Sequence, residues 1–307
     1  MTLADSPSPA AEGQEAQLRV SDVRIPVART LSGPTPPGLT LRGRLFEPEG
    51  RTPEVAAVIH PATGVPRDYY ARFARWLAAE RGVACLIYGY RATDDRSPRA
   101  LRRSTVGMSD WGVCDQEAAL AWLCARHPDA EIRVVGHSLG GFMTMFHKDA
   151  HRVARLIAVA SGPAWWRAAP LRGMPMAFLF WHVLGPLAVR ALGYLPGSRL
   201  GLGEDMPPGV FREWKRWCCN RDLHRPDWGG RLPAPVSPPF SGRLIIAAIE
   251  DDAILSPATA ARLAEFHPEA ESELRVISPR DAGTRAIGHV GLFRQANAAA
   301  WPLVWDD

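Results

Sequence analysis

Short apolar runs alternate with amphipathic stretches along most of this chain. Leu18 to Val27 and Leu39 to Phe46 read as two strands on either side of the Gly/Pro-rich stretch Ser32 to Gly38, which predicts an opening antiparallel pair. From Val55 the pattern changes. Val55 to His60 is a short buried-type strand, Tyr69 to Arg81 has helical spacing, and Val83 to Tyr88 is a second apolar strand. The unit repeats as a helix over Gly112 to Arg126, a strand over Ile132 to Val135, a helix over Leu139 to Ala150 and a strand over Val153 to Ala160. Such alternation predicts a mostly parallel sheet covered by helices on both faces.

The rhythm stops after Ser161 and resumes at Arg243 to Ile249. A helix over Pro257 to Phe266 follows, with Ser256 as N-cap and Pro in the first helical position, then a strand over Leu274 to Ile277 and a closing helix over His289 to Ala300. The interruption is too long for a connection and too apolar and aromatic for a linker. The expected organisation is therefore a tail over residues 1–17, an α/β core over 18–161 and 242–307, and an inserted helical cap over 162–241.

Composition narrows the class. With 47% hydrophobic and 22% charged residues, the chain is that of an ordinary globular enzyme. The net charge of +4 comes from scattered arginines with no basic stripe, so no nucleic-acid partner is expected. The five cysteines, Cys85, Cys114, Cys124, Cys218 and Cys219, are odd in number and lack Cys-x-x-Cys spacing. They read as reduced thiols and, with an N-terminus unlike a signal peptide, imply a cytoplasmic location. Met174 to Leu195 is about long enough to cross a bilayer, but His182, Gly185, Pro186 and Arg190 interrupt it, so no stable span is expected. The oligomeric state is not legible.

The chemistry centres on Gly136-His137-Ser138-Leu139-Gly140. The motif is short, but it follows an apolar strand and precedes an expected helix, which is the strand-turn-helix setting of a nucleophile elbow. There Ser138 would sit in a strained conformation that lifts its hydroxyl above the sheet, with a helix N-terminus aimed at developing negative charge. Gly107-Met108-Ser109-Asp110-Trp111 lacks both the final glycine and the preceding strand, so Ser109 is set aside.

A serine hydroxyl needs a base, and imidazole suits that task because it titrates near neutrality. Of nine histidines, His289 in Ile287-Gly288-His289-Val290-Gly291 is best placed, in a loop after the last strand. The third member should be a carboxylate that orients the ring. Glu250-Asp251-Asp252 follows the strand ending at Ile249, and Asp252 is the expected acid, with Asp251 the alternative. The order Ser138, Asp252, His289 is the chain order of triads on this type of sheet. Backbone N–H donors for an oxyanion are expected from Leu139 and from the loop His60-Pro61-Ala62-Thr63-Gly64, where Pro61 has no N–H, Ala62 is the first choice and Thr63 the second.

With these residues the chain resembles the α/β-hydrolase superfamily, and particularly a bacterial group similar to serine aminopeptidase-like hydrolases. The resemblance runs from about Val55 to Trp305 and rests on His60 to Gly64 with Tyr69-Tyr70, Trp111-Gly112 with Asp115, Gly136 to Gly141, and Gly288 to Phe293. In the cap it rests on Gly193 to Gly197, Gly203 to Pro207, and Trp214 with Trp217. One departure stands in Gly89-Tyr90-Arg91-Ala92, where relatives tend to carry Asp-Tyr-Arg-Gly.

The resemblance implies an α/β-hydrolase fold and a hydrolase without metal or organic cofactor; with the triad residues above, the expected activity is that of a serine hydrolase on an ester or thioester, or an amide. It does not imply a substrate. Trp165, Trp166 and Trp214 are the expected substrate-binding residues, and Trp181, Trp217, Phe178 and Phe180 add apolar surface that favours a hydrophobic small-molecule acyl substrate. An acyltransferase using the same triad, or a ligand-binding protein without turnover, remain the alternatives.

Overall fold

The computed structural model describes residues 18–306, so the expected tail lies outside the described residues. Among them, eight strands form one sheet in the order β1-β2-β4-β3-β5-β6-β7-β8. The strands are β1 (Leu18–Pro26), β2 (Thr40–Pro48), β3 (Val55–His60), β4 (Ala84–Tyr88), β5 (Glu131–His137), β6 (Val153–Val159), β7 (Arg243–Ile249) and β8 (Glu271–Ile277). β1 pairs antiparallel with β2, as the opening pair predicts, and β2 antiparallel with β4. The remaining neighbours are parallel.

Alternation along the central strands builds two core layers. Val58, Leu86, Val134, Leu156 and Ile246 face one layer. Ile59, Ile87, Val135, Ile157 and Ile245 face the other, because successive strand side chains point to opposite sides. Helix α1 (Ala71–Arg81) covers the second layer with Phe73, Leu77 and Ala78, and α8 (Trp301–Trp305) joins it with Trp301 and Val304. After the short α2 (Pro98–Arg103), α3 (Gln116–Arg126) covers the first layer with Leu120 and Leu123.

Two expected helices are not regular. Leu139 to Ala150 forms three short 3₁₀ turns, Ser138–Gly141, Thr144–Phe146 and Lys148–Arg152. Gly140-Gly141 costs about 1 kcal/mol per residue in a helix relative to alanine. Residues 139–147 are also all buried, so no solvent face imposes a helical period. His289 to Ala300 likewise consists of two 3₁₀ turns leading into α8. Buried Asn297 leaves helical φ/ψ and donates from Nδ2 to the Gly291 carbonyl at 2.8 Å, a side-chain bond that replaces the helical pattern.

Between β6 and β7 the chain runs through α4 (Met174–Leu179), α5 (Gly185–Leu192) and α6 (Pro208–Cys218). A widened turn over Phe180–Leu184 joins α4 to α5. Pro186 has no N–H to return to the preceding turn, and the wider turn absorbs that loss. Trp181 packs inward, stacked on Phe211 at 6.3 Å and edge-on to Trp214 at 5.1 Å. Beyond β7, Ser256 caps α7 (Pro257–Ala261) by accepting from the Thr259 N–H.

The departure at Gly89 to Ala92 leaves the loop pinned by another route. Buried Arg91 donates through Nε to Asp115 Oδ1 at 2.7 Å and through its main-chain N–H to Asp115 Oδ2 at 2.9 Å. Burial raises the Asp115 carboxyl to about 6 even with Arg91 beside it. Ala92 adopts a φ of +60°, a left-handed conformation that a glycine would hold with less strain.

Candidate active site

β3 and β5 are neighbours, but the chain leaves them toward opposite edges of the sheet, to β4 on one side and β6 on the other. A crevice opens at the carboxyl ends of strands where the order reverses in this way. Ser138 follows β5 there, Ala62 and Thr63 follow β3, Asp252 follows β7, and His289 lies in the loop after β8.

Ser138 has a φ of +52°, held by a sharp turn at the end of β5. The turn is closed by backbone packed on backbone. A Cβ on Gly136 would lie 2.3 Å from the Gly140 carbonyl oxygen, and one on Gly140 would lie 2.1 Å from that of His60. Ser161 at the end of β6 donates its hydroxyl to the Ser138 carbonyl at 2.7 Å and braces the turn from beside it. Gly140→Ala must displace either β3 or the turn, and about 3 kcal/mol of stability should be lost, read as a shift of the urea midpoint at unchanged slope.

His289 Nε2 lies 3.0 Å from Ser138 Oγ, and His289 Nδ1 lies 2.7 Å from Asp252 Oδ2. The Asp252 side chain is fully buried, while that of His289 is 17% exposed. The other oxygen of Asp252 accepts from the main-chain N–H groups of Ile254 at 2.7 Å and Leu255 at 3.2 Å, so the carboxylate is held from both sides. Asp251 has a different place: its two oxygens accept from Ile287 N–H at 3.0 Å and Gly288 N–H at 2.8 Å. The adjacent acids thus divide the work, one on the imidazole and the other on the loop that carries it.

Leu139 opens the turn after Ser138 and borders the same cavity. The first choice for the second oxyanion donor is corrected: the Ala62 N–H is already used, donating to the Tyr70 hydroxyl at 2.9 Å. Among the described residues the Thr63 N–H has no such partner, and Thr63 borders the cavity beside Ser138.

Tyr70 belongs to a network that sequence reasoning missed. Its hydroxyl accepts from Ala62 and donates to His137 Nδ1 at 2.9 Å, and His137 Nε2 donates to the His289 carbonyl at 2.9 Å. The carbonyl can only accept, which fixes the ring tautomer and the direction of the run. Burial raises Tyr70 well above the usual phenol value and, with the nearby His289, lowers His137 to about 3, so both stay neutral. His137 lies inside the serine motif, but nothing in its spacing from Tyr70 marks the partnership.

Other buried imidazoles share this property. Burial lowers His147, His224 and His267 to about 4 each. Because these folded-state values lie below the unfolded value near 6.5, only the unfolded chain takes up protons between about 6.5 and 4, so stability falls as pH falls through that window. Thermal melts should show the midpoint dropping steadily over this range; a flat midpoint would contradict neutral burial.

An apolar cavity of about 510 Å³ opens on Ser138 and His289. Trp166, Trp181, Trp214, Phe142 and Phe180 line it, so the expected Trp166 and Trp214 are in place. Trp165 is not among its lining residues, a correction to the expected set: it stands in extended backbone, with φ/ψ of −64° and 122°, just before the short 3₁₀ turn that carries Trp166. Trp217 is buried with its indole N–H on Asp227 Oδ2 at 2.8 Å, and Phe178 is half exposed. Ser109 is buried away from this cavity, its N–H on Glu213. Among the described residues no group of three or more His, Cys, Asp or Glu side chains is gathered so as to hold a metal ion.

The chain matches the sequence profile of the alpha/beta hydrolase family over residues 21–298. No curated protein matches it in sequence. Solved structures similar to it include a Pyrococcus furiosus esterase, 15% identical with a TM-score of 0.54, covering 99% of this chain and 97% of that one. A Pyrobaculum calidifontis esterase is 14% identical with a TM-score of 0.56, covering 93% and 83%. A thermostable carboxylesterase cloned from a metagenomic library is 16% identical with a TM-score of 0.54, covering 93% and 86%. At such identities the likeness is one of fold, and the fold is that of an α/β hydrolase.

Proposed function

Because the chain belongs to the alpha/beta hydrolase family, we propose that it is a serine hydrolase that cleaves esters or thioesters of hydrophobic acids through an acyl-enzyme on Ser138. The observation that carries this reading is the unbroken hydrogen-bonded run from Ser138 Oγ through His289 to Asp252, set at an apolar cavity.

The steps follow from the geometry. Ser138 Oγ attacks the acyl carbon while its proton passes to His289 Nε2, and Asp252 Oδ2, accepting from Nδ1–H, stabilises the charge on the ring. The carbonyl oxygen takes up the electron pair and is held by the N–H groups of Leu139 and Thr63. Collapse expels the alcohol or thiol, which takes the proton from Nε2. A water then attacks the acyl-enzyme with His289 again as base, giving the acid and restoring Ser138. The Tyr70–His137 run sets the loop of His289 against the loop of Thr63, so base and oxyanion donors keep one spacing.

The cavity walls make acyl length the variable to test. Along a series of p-nitrophenyl esters, kcat/KM should rise about fourfold per added methylene until the cavity is filled, at about 0.8 kcal/mol each. A maximum at acetate with a decline thereafter would contradict a hydrophobic acyl site. Added alcohol or amine acceptors that leave the acid as sole product support hydrolysis over acyl transfer.

A further inference from the structure

The α4–α5 helix, Met174–Leu192, is long and apolar enough to cross a membrane, yet only 11% of its most apolar window is buried. One side holds Ala177, Phe180 and Trp181 against the cavity. The residues flanking that side, and its approach, are open: Leu171 is 85% exposed, Met176 62%, Leu187 59% and Phe178 50%. Apolar exposure on this scale in one element marks an interaction surface.

The charge around this face identifies what it meets. No Asp or Glu occurs between Asp149 and Glu204, whereas Arg167 and Arg172 stand exposed before the helix and Arg190 near its end. Arg102 of α2 adds a fourth exposed guanidinium there, donating to the Leu192 carbonyl. Asp251, whose carbonyl accepts from Arg172, has its carboxylate engaged by Ile287 and Gly288. An apolar face with cations at both ends and aromatic side chains at one, Trp166 packed beside Phe178 with centroids 5.7 Å apart, has the chemistry of a helix lying in a lipid interface.

We propose that Met174–Leu192 docks this protein in the plane of an anionic lipid surface, cavity mouth downward. The helix does not span, since Trp181 ties its inner side to Phe211 and Trp214. Met176, Ile254 and Val290 are exposed and also line the cavity, so the docking face runs directly into the opening above Ser138. A hydrophobic acyl chain could then pass from bilayer to cavity without crossing water.

Flotation of the full chain with vesicles of phosphatidylcholine, and with an equimolar mixture of phosphatidylcholine and phosphatidylglycerol, tests the proposal. The wild type should float with the mixed vesicles, at least about tenfold more than with phosphatidylcholine alone, and added salt should release it. Leu171→Glu with Leu187→Glu, and separately Arg190→Glu, should each reduce flotation on the mixed vesicles about tenfold while leaving the melting midpoint and the hydrolysis of a soluble short ester unchanged. Three results overturn it: no flotation on either vesicle, equal flotation on both, or variants that float as the wild type does. A wild-type dimer in sedimentation that the leucine pair splits into monomers also overturns it, by assigning the face to a second copy. Flotation needs no turnover, so an inactive chain that floats leaves the docking intact and removes only the hydrolase reading.

Discussion

Ser138→Ala is expected to lower kcat toward a short p-nitrophenyl ester by about 10⁴- to 10⁶-fold, with KM changed little. The size of the effect follows from how the site is built. The hydroxyl is the atom that bonds to the acyl carbon, and its loss leaves His289 with no proton to accept, although the N–H groups of Leu139 and Thr63 and the cavity remain. The fold should be unaffected, because Ser138 holds its turn through backbone: its carbonyl still accepts from Ser161 and the contact of Gly140 with His60 is unchanged. A variant that melts with the wild type and has lost activity separates chemistry from structure. Retention of more than about a tenth of wild-type kcat would remove Ser138 from the mechanism.

Asp252→Asn should cost nearly as much, about 10⁴-fold in kcat, because an amide facing His289 Nδ1 favours the tautomer that cannot take the serine proton and supplies no charge to stabilise the imidazolium. The neighbouring Asp251→Asn is the control that gives this prediction its force. Asp251 uses both oxygens on main-chain N–H groups of the histidine loop. An amide there keeps one acceptor and turns a donor toward the other N–H, so the expected cost is about 1–3 kcal/mol of stability. Its effect on kcat, through a displaced His289, should be at most about a hundredfold. Equal losses of kcat from both variants would mean that the two acids do not divide as the hydrogen bonds place them.

The parts of the site that sequence reveals are those that repeat a local pattern. The elbow is legible because an apolar strand runs straight into Gly136 to Gly140, and both glycines are demanded by contacts a Cβ would violate. His289 and the acid pair are legible because each follows a strand of the same alternating series. Of the two adjacent acids the sequence favours Asp252 and leaves Asp251 as the alternative, and the course of the loop through Ile254 and Leu255 is what sets Asp252 on the ring. The second oxyanion donor is hidden: the Ala62 N–H is consumed by Tyr70, a partner from another element that no spacing rule connects to it.

The misread helices have separate causes. Leu139 to Ala150 and His289 to Ala300 carry enough apolar residues to look amphipathic, but the first is buried throughout residues 139–147 and the second is diverted by the Asn297 side chain. Helical periodicity reports a helix between core and solvent; the first segment lacks a solvent face over residues 139–147, and in the second a buried side-chain bond overrides the pattern. The loss of a regular helix after Ser138 also changes the expected electrostatics: in the proposed mechanism the oxyanion is served by two individual N–H groups, Leu139 of the short turn and Thr63 of the loop after β3, rather than by the summed dipole of a long helix. The aromatic residues between β6 and β7 were legible as a group and not one by one. Trp166 and Trp214 reach the cavity, whereas Trp165, next to Trp166 in sequence, does not line it.

The central claim is that Ser138 is the residue acylated during turnover, and covalent capture tests it most directly. A fluorophosphonate probe should add once to the wild type, with the adduct on the peptide containing Gly136 to Gly140. Labelling should be lost in Ser138→Ala and strongly slowed in His289→Ala. An adduct on any other residue, or equal labelling of wild type and Ser138→Ala, would contradict the account.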